Sequence, residues 1–484
     1  MKKIILIQPK VGSWEFIQET PMLPVALLQI SAYLTDEYAI RIIDQRLDRE
    51  WARTLKSELT GDVLCVGVTT MTGPQILYAL EASKIVKQYG AIPVIWGGIH
   101  PSILPEQTLN NPYVDIVVTG EGEIVFRDLV RSLDKKQPFA GLPGVWVKTG
   151  GKASGSAPQT IRDINTLPPV PYGLVRVEDY IGHDREGRKK FPIQTARGCP
   201  YRCTFCHQTG KYRKSWRSLD AGRVLNDIKT LKDKYGIRHF QILDDNFFVN
   251  ADRAHSILKG IVDLRLDIVF TINGTRVTDI LRMKDETIEL LARGGCYEVQ
   301  VGLESGSQRV LDHMKKDITL PQIFEANQRL KEHNIPRYYE LVSGFRDETK
   351  EDLSRTAGVI LELSKDDPGV FFSPLECLTP YPGTEVYAQA ESAGMKFPED
   401  LEGWGRYQWD KAQLPWLGKD RTKLLEAFHI FPTFISHEIK TMRSPVFKGI
   451  FKIYRVWARF RVRRLFFSLP IETFLFDLMA RLRS

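Results

Sequence analysis

Three cysteines, Cys199, Cys203 and Cys206, fall in the short stretch TARGCPYRCTFCHQTGKYRKSWR with the spacing C-x3-C-x2-C. Thiolates are soft ligands, suited to zinc, copper(I) or an iron–sulfur cluster. A closed structural zinc site takes four ligands. His207 is the candidate fourth, yet adjacent residues seldom both turn onto one metal, and the chain has no second short ligand cluster. A cubane of four irons usually takes four thiolates, so three leave one iron with an open position where a small molecule can bind. The remaining cysteines, Cys65, Cys296 and Cys377, are scattered. That usage fits a reducing, cytoplasmic setting and one metal site, not a disulfide framework.

A rigid frame must hold such a loop. The chain has 484 residues, 43% of them hydrophobic, enough for several packed cores. No run of about 18 apolar residues suggests a membrane span. The opening MKKIILIQPK soon reads as a strand and lacks the cleavage site of a signal peptide. Over residues 1–148, strand-like runs (KIILIQP, IRIIDQ, DVLCVGVTTM, IPVIWGG, VDIVVTGEGE) alternate with helical spacing (PVALLQISAYLTD, PQILYALEASKIVKQYG). The alternation predicts a Rossmann-like, doubly wound parallel sheet, whose ligands bind beyond the carboxyl ends of the strands. Thr70, Gly97, Gly98, His100, Gly120, Glu121 and Gly122 lie at those ends. Residues 149–189, Gly/Ser-rich and then proline-rich (TGGKASGSAP, LPPVPYG), read as a linker.

A second βα series runs over residues 190–388: FPIQTAR, HFQILDD, IVFTING, YEVQVGLESG, PRYYELVSGF and GVFFSPLECLTP. Six such units predict a partial (β/α)6 TIM-like barrel. A mainly helical C-terminal region, 389–484, completes an α/β chain. Its stretch EGWGRYQWDK (Glu402 to Lys411) either stacks on a substrate or packs a cap.

The C-x3-C-x2-C loop after the first strand of a βα series resembles the radical S-adenosylmethionine (SAM) superfamily. The resemblance covers roughly residues 190–385. It implies a [4Fe–4S] cluster on Cys199, Cys203 and Cys206, with SAM on the open iron and cleaved to a 5′-deoxyadenosyl radical. It implies SAM contacts from Phe205, from Glu304 in VGLESGS and from the Asp244–Asp245–Asn246 stretch, although the family's usual glycine-rich form is absent there. Glu304 also reads as a buried acid satisfied by a helix N-terminus. His207 and Arg197 either line the pocket or pack the loop, and the lysines of HMKK carry no assigned role.

Residues 1–140, through VIWGGIHPSILPEQTL, VDIVVTGEGE, MLPVALLQISAYL and VGVTTMTGPQ, resemble the cobalamin (B12)-binding domain that precedes many radical SAM enzymes. The resemblance implies corrinoid contacts from Thr70, Met71, Thr72, Gly97, Gly98, His100, Gly120, Glu121 and Gly122. The D-x-H-x-x-G motif that supplies a lower axial histidine is absent, which implies base-off binding. The rival is a retained domain that no longer binds corrinoid. A nucleotide-binding domain is disfavoured, because no G-x-G-x-x-G or P-loop lysine pattern occurs.

The charge is uneven. From Arg443 to Ser484 there are ten Lys or Arg against two Asp or Glu, while the rest of the chain carries 57 of each sign. Lys448, Lys452, Arg455, Arg459 and Arg463 form one helical stripe, and Phe447, Ile450, Phe451, Tyr454, Trp457, Ala458 and Leu465 form another. A basic amphipathic tail suits peripheral contact with the inner face of a membrane. Its rival is docking on the enzyme; nucleic acid is disfavoured.

These readings converge on a cobalamin-dependent radical SAM methyltransferase, acting on a lipid or natural-product intermediate and reduced by an external donor such as flavodoxin or ferredoxin. The rivals are a cyclase or carbon–carbon coupling enzyme and a corrinoid or iron–sulfur carrier or sensor. A methylthiotransferase needs three N-terminal cysteines, and only Cys65 precedes the barrel.

Overall fold

The structure is a computed structural model that describes residues 1–12, 20–207, 215–407, 414–436 and 445–466. The chain divides into two units, residues 1–183 with 396–408, and residues 184–395 with 409–484.

In the first unit, the strands Lys3–Gln8, Ala39–Asp44, Val63–Thr69, Val94–Gly97 and Ile116–Val118 are parallel, in the order second, first, third, fourth, fifth. Two antiparallel strands, Val145–Thr149 and Lys152–Gly155, extend one edge. Helices cover the sheet, so Ile4, Ile5, Leu6 and Ile7 are all fully buried, as a near-continuous apolar run requires. The order reverses beside the first strand, so the crevice lies past Gln8, Thr69 and Gly97.

Two segments depart from the boundaries read in the sequence. The linker region is largely part of the first unit. Beyond its paired strand, Ile161, Ile164, Leu167, Val177 and Tyr180 are buried, and Tyr180 donates its hydroxyl to Asp44 Oδ2 at 3.0 Å. Proline lowers the cost of ordering such a strap without giving it a helical or strand period. Residues 396–408, assigned by sequence to the C-terminal region, also belong here. The short helix Leu401–Gly405 buries Trp404, which donates Nε1 to Gln107 Oε1 at 2.5 Å. The aromatics of this segment therefore pack, and residues 408–411 of the same stretch lie outside the described residues.

In the second unit, six parallel strands follow in sequence order: Lys189–Ile193, His239–Ile242, Val269–Arg276, Cys296–Glu304, Arg337–Ser343 and Val370–Cys377. The first and last strands do not pair, so the barrel is open, as six βα units require. Helices Ala221–Tyr235, Ala251–Asp263, Asp285–Arg293, Leu320–Glu332 and Lys350–Leu363 connect the strands. Helices Lys419–His429, Phe431–Ile435 and Pro445–Arg464 make the C-terminal region mainly helical. Among the described residues no helix is long and apolar enough to cross a membrane.

Candidate functional site

The cysteine loop leaves the first barrel strand through Thr195, Ala196 and Arg197, then turns at Gly198, whose φ of +82° is costly for any residue with a Cβ. An acidic run after the second strand pins this exit. Asp244 is buried and accepts from Thr195 N at 2.6 Å, Thr195 Oγ1 at 2.5 Å and Ala196 N at 2.8 Å. Asp245 Oδ2 accepts from Gly198 N at 2.7 Å, and Asn246 donates to Asp279 Oδ2 at 2.9 Å. Burial, partly offset by those donors, pushes the Asp244 carboxyl up to about 6. Its side chain is thus committed to the loop. Gly274 (φ +64°) lets the third strand approach the Asp244 backbone, where an added Cβ would stand 2.2 Å from Asp244 O.

Within the loop, Cys203 is buried, and Cys199 and Cys206 are partly exposed. Thr204 N donates to Met314 O at 3.0 Å, and Val386 N to Thr204 O at 3.2 Å, so two distant segments hold the turn. Among the described residues no three His, Cys, Asp or Glu side chains gather as for a single ion. A cubane engages thiolates on different irons, which stand further apart.

A chain of buried basic and acidic groups begins at Cys203. Arg276, at the end of the third strand, is buried and donates Nη1 to Cys203 Sγ at 3.3 Å; its guanidinium lies 3.8 Å from the Tyr201 ring centroid. Its Nη2 donates to Lys316 O. Glu304 ends the fourth strand at φ +66°, an uncommon backbone state for a non-glycine residue, and its Oε1 pairs with Lys316 Nζ at 2.5 Å. Both partners are buried. Burial opposes the charge on Lys316, and Glu304 offsets it, holding the ammonium above its ordinary value. Lys316 is the second lysine of HMKK, which the sequence reading passed over; its only signal was its place after Glu304. Phe205 stands edge-on to Phe345, with ring centroids 6.0 Å apart, and His313 meets the same ring at 6.2 Å. His207 and Arg197 both have interaction partners. Thr204 Oγ1, Thr275 Oγ1 and Arg276 Nε are buried without a hydrogen-bond partner, polar atoms that a ligand can satisfy.

At the strand ends of the first unit, most residues singled out by sequence turn out to serve packing. Gly98 (φ +100°) brings Thr70 O within 2.5 Å of an added Cβ. Gly120 (φ +75°) would meet Pro158 Cβ at 2.6 Å, and Gly122 would meet Ile30 Cγ2 at 3.1 Å. Glu121 Oε2 accepts from Ile161 N at 3.0 Å. Thr70 is buried, its N–H bonded to Gly97 O at 2.9 Å. Gly97 differs, because an added Cβ would find nothing closer than Val118 O at 3.7 Å. Its missing side chain is therefore not demanded by the protein and leaves a cradle at the sheet edge. Met71 is exposed and Thr72 half-buried beside it.

His100 is fully buried. Its Nδ1 lies 3.0 Å from Thr72 Oγ1, and Trp404 meets its ring edge-on at 5.7 Å. Burial depresses its pKa to about 4, so the imidazole is neutral, and Nε2 has no partner. Trp404, one of the aromatics expected either to stack on a substrate or to pack a cap, covers it.

Residues 193–360 match the Radical SAM superfamily and residues 19–130 match the B12 binding domain. A methyltransferase of Pyrococcus horikoshii, itself described as uncharacterized, is 30% identical over 394 residues, covering 81% of this chain and 83% of that protein. The anaerobic magnesium-protoporphyrin IX monomethyl ester cyclase of Rubrivivax gelatinosus is 28% identical over 348 residues; the match covers 70% of this chain and 60% of that protein. The fold is shared with OxsB, a cobalamin-dependent SAM radical enzyme solved with aqua-cobalamin and SAM, at a TM-score of 0.74 and 18% identity over 96% of this chain and 72% of that one. With a cysteine loop on an open barrel and a B12-type sheet before it, the chain belongs to the radical SAM superfamily, in the branch that carries an N-terminal B12-binding domain.

Proposed function

We propose that this enzyme is a cobalamin-dependent radical SAM methyltransferase acting on an unactivated carbon or phosphorus of a small molecule, either a natural-product intermediate or a lipid. The observation that carries this reading is the presence, in one chain, of a three-thiol loop and a B12-type sheet with an open glycine at its edge. The donor set fits a cluster with one iron left open, and unsatisfied buried atoms adjoin it. When bound, the cluster supplies an electron to SAM, and cobalamin carries the methyl group.

The chain's own residues then have distinct tasks. Cys199, Cys203 and Cys206 hold the cluster. Arg276 offsets negative charge at the Cys203 sulfur and, through Lys316 O, ties the loop to the fourth strand's exit. Glu304, fixed by Lys316, Phe205 and the Asp244 backbone would contact SAM. Gly97 would leave room for the corrin, Met71 and Thr72 would adjoin it, and neutral His100, covered by Trp404, would not be called on as a ligand. Gly98, Gly120, Glu121 and Gly122 shape that edge. The electron would come from an external donor of the flavodoxin or ferredoxin type.

The test is to incubate reduced, cobalamin-loaded enzyme with methyl-deuterated SAM and a small-molecule extract. Methyl transfer predicts 5′-deoxyadenosine and S-adenosylhomocysteine together, with a labelled product. Formation of 5′-deoxyadenosine alone would favour the cyclase reading, which the Rubrivivax gelatinosus relative supports. Absence of both would leave only a carrier or sensor.

A further inference from the structure

The C-terminal helix Pro445–Arg464 does not sit as a helical wheel of the sequence suggests. Ala458 and Val462 are fully buried. Two arginines also turn inward. Arg459 donates to Ser364 Oγ and Leu361 O, both at 3.0 Å, satisfying the carboxyl end of helix Lys350–Leu363. Arg461 is buried, lies 5.1 Å from the Phe431 ring centroid, and donates to Phe466 O at 2.9 Å. Tyr454 meets Phe434 edge-on at 6.0 Å. Part of the basic complement is therefore spent on docking. The side chains of Phe447, Lys448, Ile450, Phe451 and Lys452 lie outside the described residues.

The outward face is apolar instead. Ile453, Val456, Trp457 and Phe460 are 78%, 71%, 42% and 49% exposed. Their spacing of i, i+3, i+4 and i+7 puts them on one stripe. The Trp457 and Phe460 rings stack with centroids 5.5 Å apart. Exposed Arg463 and Arg464 follow at the next turn, and Phe466 is exposed beyond them. A contiguous exposed patch of large apolar residues marks an interaction site. Between Ile453 and Phe466 the sequence has no acidic residue, and with Arg459 and Arg461 turned inward the exposed arginines are Arg463 and Arg464. An aliphatic and aromatic face rimmed by arginine matches the acyl–headgroup boundary of a negatively charged bilayer. A second copy of this chain would bring the same arginines against one another, which charge disfavours.

We propose that the outward face of this helix seats on an anionic lipid surface. The proposal concerns location and does not depend on the reaction assigned to the barrel. It is tested by flotation of the full chain with phosphatidylcholine vesicles, with and without phosphatidylglycerol. The full chain floats with the anionic vesicles and not with the neutral ones. The variant Ile453→Ser/Val456→Ser/Trp457→Ser/Phe460→Ser stays behind while keeping its iron content, which shows that the chain still folds. Arg463→Gln/Arg464→Gln weakens anionic-vesicle binding by about fivefold per arginine. Failure of the full chain to float with anionic vesicles, or flotation of the apolar variant as efficiently as the parent, overturns the proposal. So does concentration-dependent self-association that the apolar variant abolishes without any lipid binding, since that assigns the face to a second copy.

Discussion

The two candidate sites are built by opposite means. Around the cysteine loop, side chains do the positioning: Asp244 and Asp245 tether it, Arg276 bonds Cys203 Sγ, and Glu304 and Lys316 form a buried charge pair tied to Arg276 through Lys316 O. At the sheet edge of the first unit, backbone does the positioning. Gly98 and Gly120 allow close approaches that a Cβ would forbid, and Gly97 leaves room that no protein atom takes. The first arrangement suits a charged cluster and a small polar ligand, for which electrostatics dominates. The second suits a large planar ligand, for which shape dominates. Substitutions should therefore separate the sites by metal content and by the physical origin of the loss.

The largest expected effect is from Cys203→Ala. Iron should fall from about four per chain, the cubane count, to near zero. Product formation should cease, and cobalt content should stay unchanged. Loss of cobalt with iron would mean that the two sites are not built independently. Next is the buried pair. Lys316→Met leaves Glu304 buried without its partner, and chemical denaturation should report a loss of roughly 3–5 kcal/mol. Glu304→Gln/Lys316→Met should recover much of that loss, because no buried charge is then left unpaired.

His100 makes stability of the first unit depend on pH. Its folded pKa of about 4 lies below the unfolded value of 6.5, so the unfolded chain binds the extra proton in that window. The contribution is fully present above pH 6.5 and is lost as pH falls through 4, amounting to about 3 kcal/mol. Denaturation midpoints of the parent and His100→Phe should converge toward acid, with the parent showing the steeper dependence.

Smaller effects come from the glycines. Gly98→Ala should cost roughly 1–3 kcal/mol for its backbone state alone. Gly97→Ala should change stability by less than about 0.5 kcal/mol, since its surroundings are open. Gly97→Leu should instead lower bound cobalt. A Gly97 variant that loses stability but keeps cobalt would assign that glycine to packing as well. The smallest change is electronic. Arg276→Lys shortens the donor to Cys203 Sγ, and hydrogen bonds to cluster sulfurs set the potential. An EPR-monitored redox titration should place the variant's midpoint below the parent's.

The fold was largely legible. Buried apolar runs such as Ile4–Ile7 and regular βα spacing mark both sheets, and the cysteine spacing marks its loop without help from tertiary contacts. Three features were not legible, for separate reasons. The return of Trp404 to His100 joins residues about three hundred positions apart, and no local period records such a contact. Lys316 looks like any surface lysine until the fourth strand's exit places Glu304 against it. The tail helix is apolar on two faces, so its wheel does not say which one docks; Arg459 decides that through its bond to the distant Leu361 carbonyl, and Arg461 through its place over the Phe431 ring. Residues 467–484, including IETFLFDLMARL, lie outside the described residues.

The central claim is that one chain holds both a cluster and a corrinoid. The most direct measurement is iron and cobalt content of protein purified without oxygen from cells supplied with cobalamin. The account predicts about four irons and near-stoichiometric cobalt per chain. Iron without cobalt would remove the corrinoid role and with it methyl transfer, and absence of both would contradict the assignment of Cys199, Cys203 and Cys206.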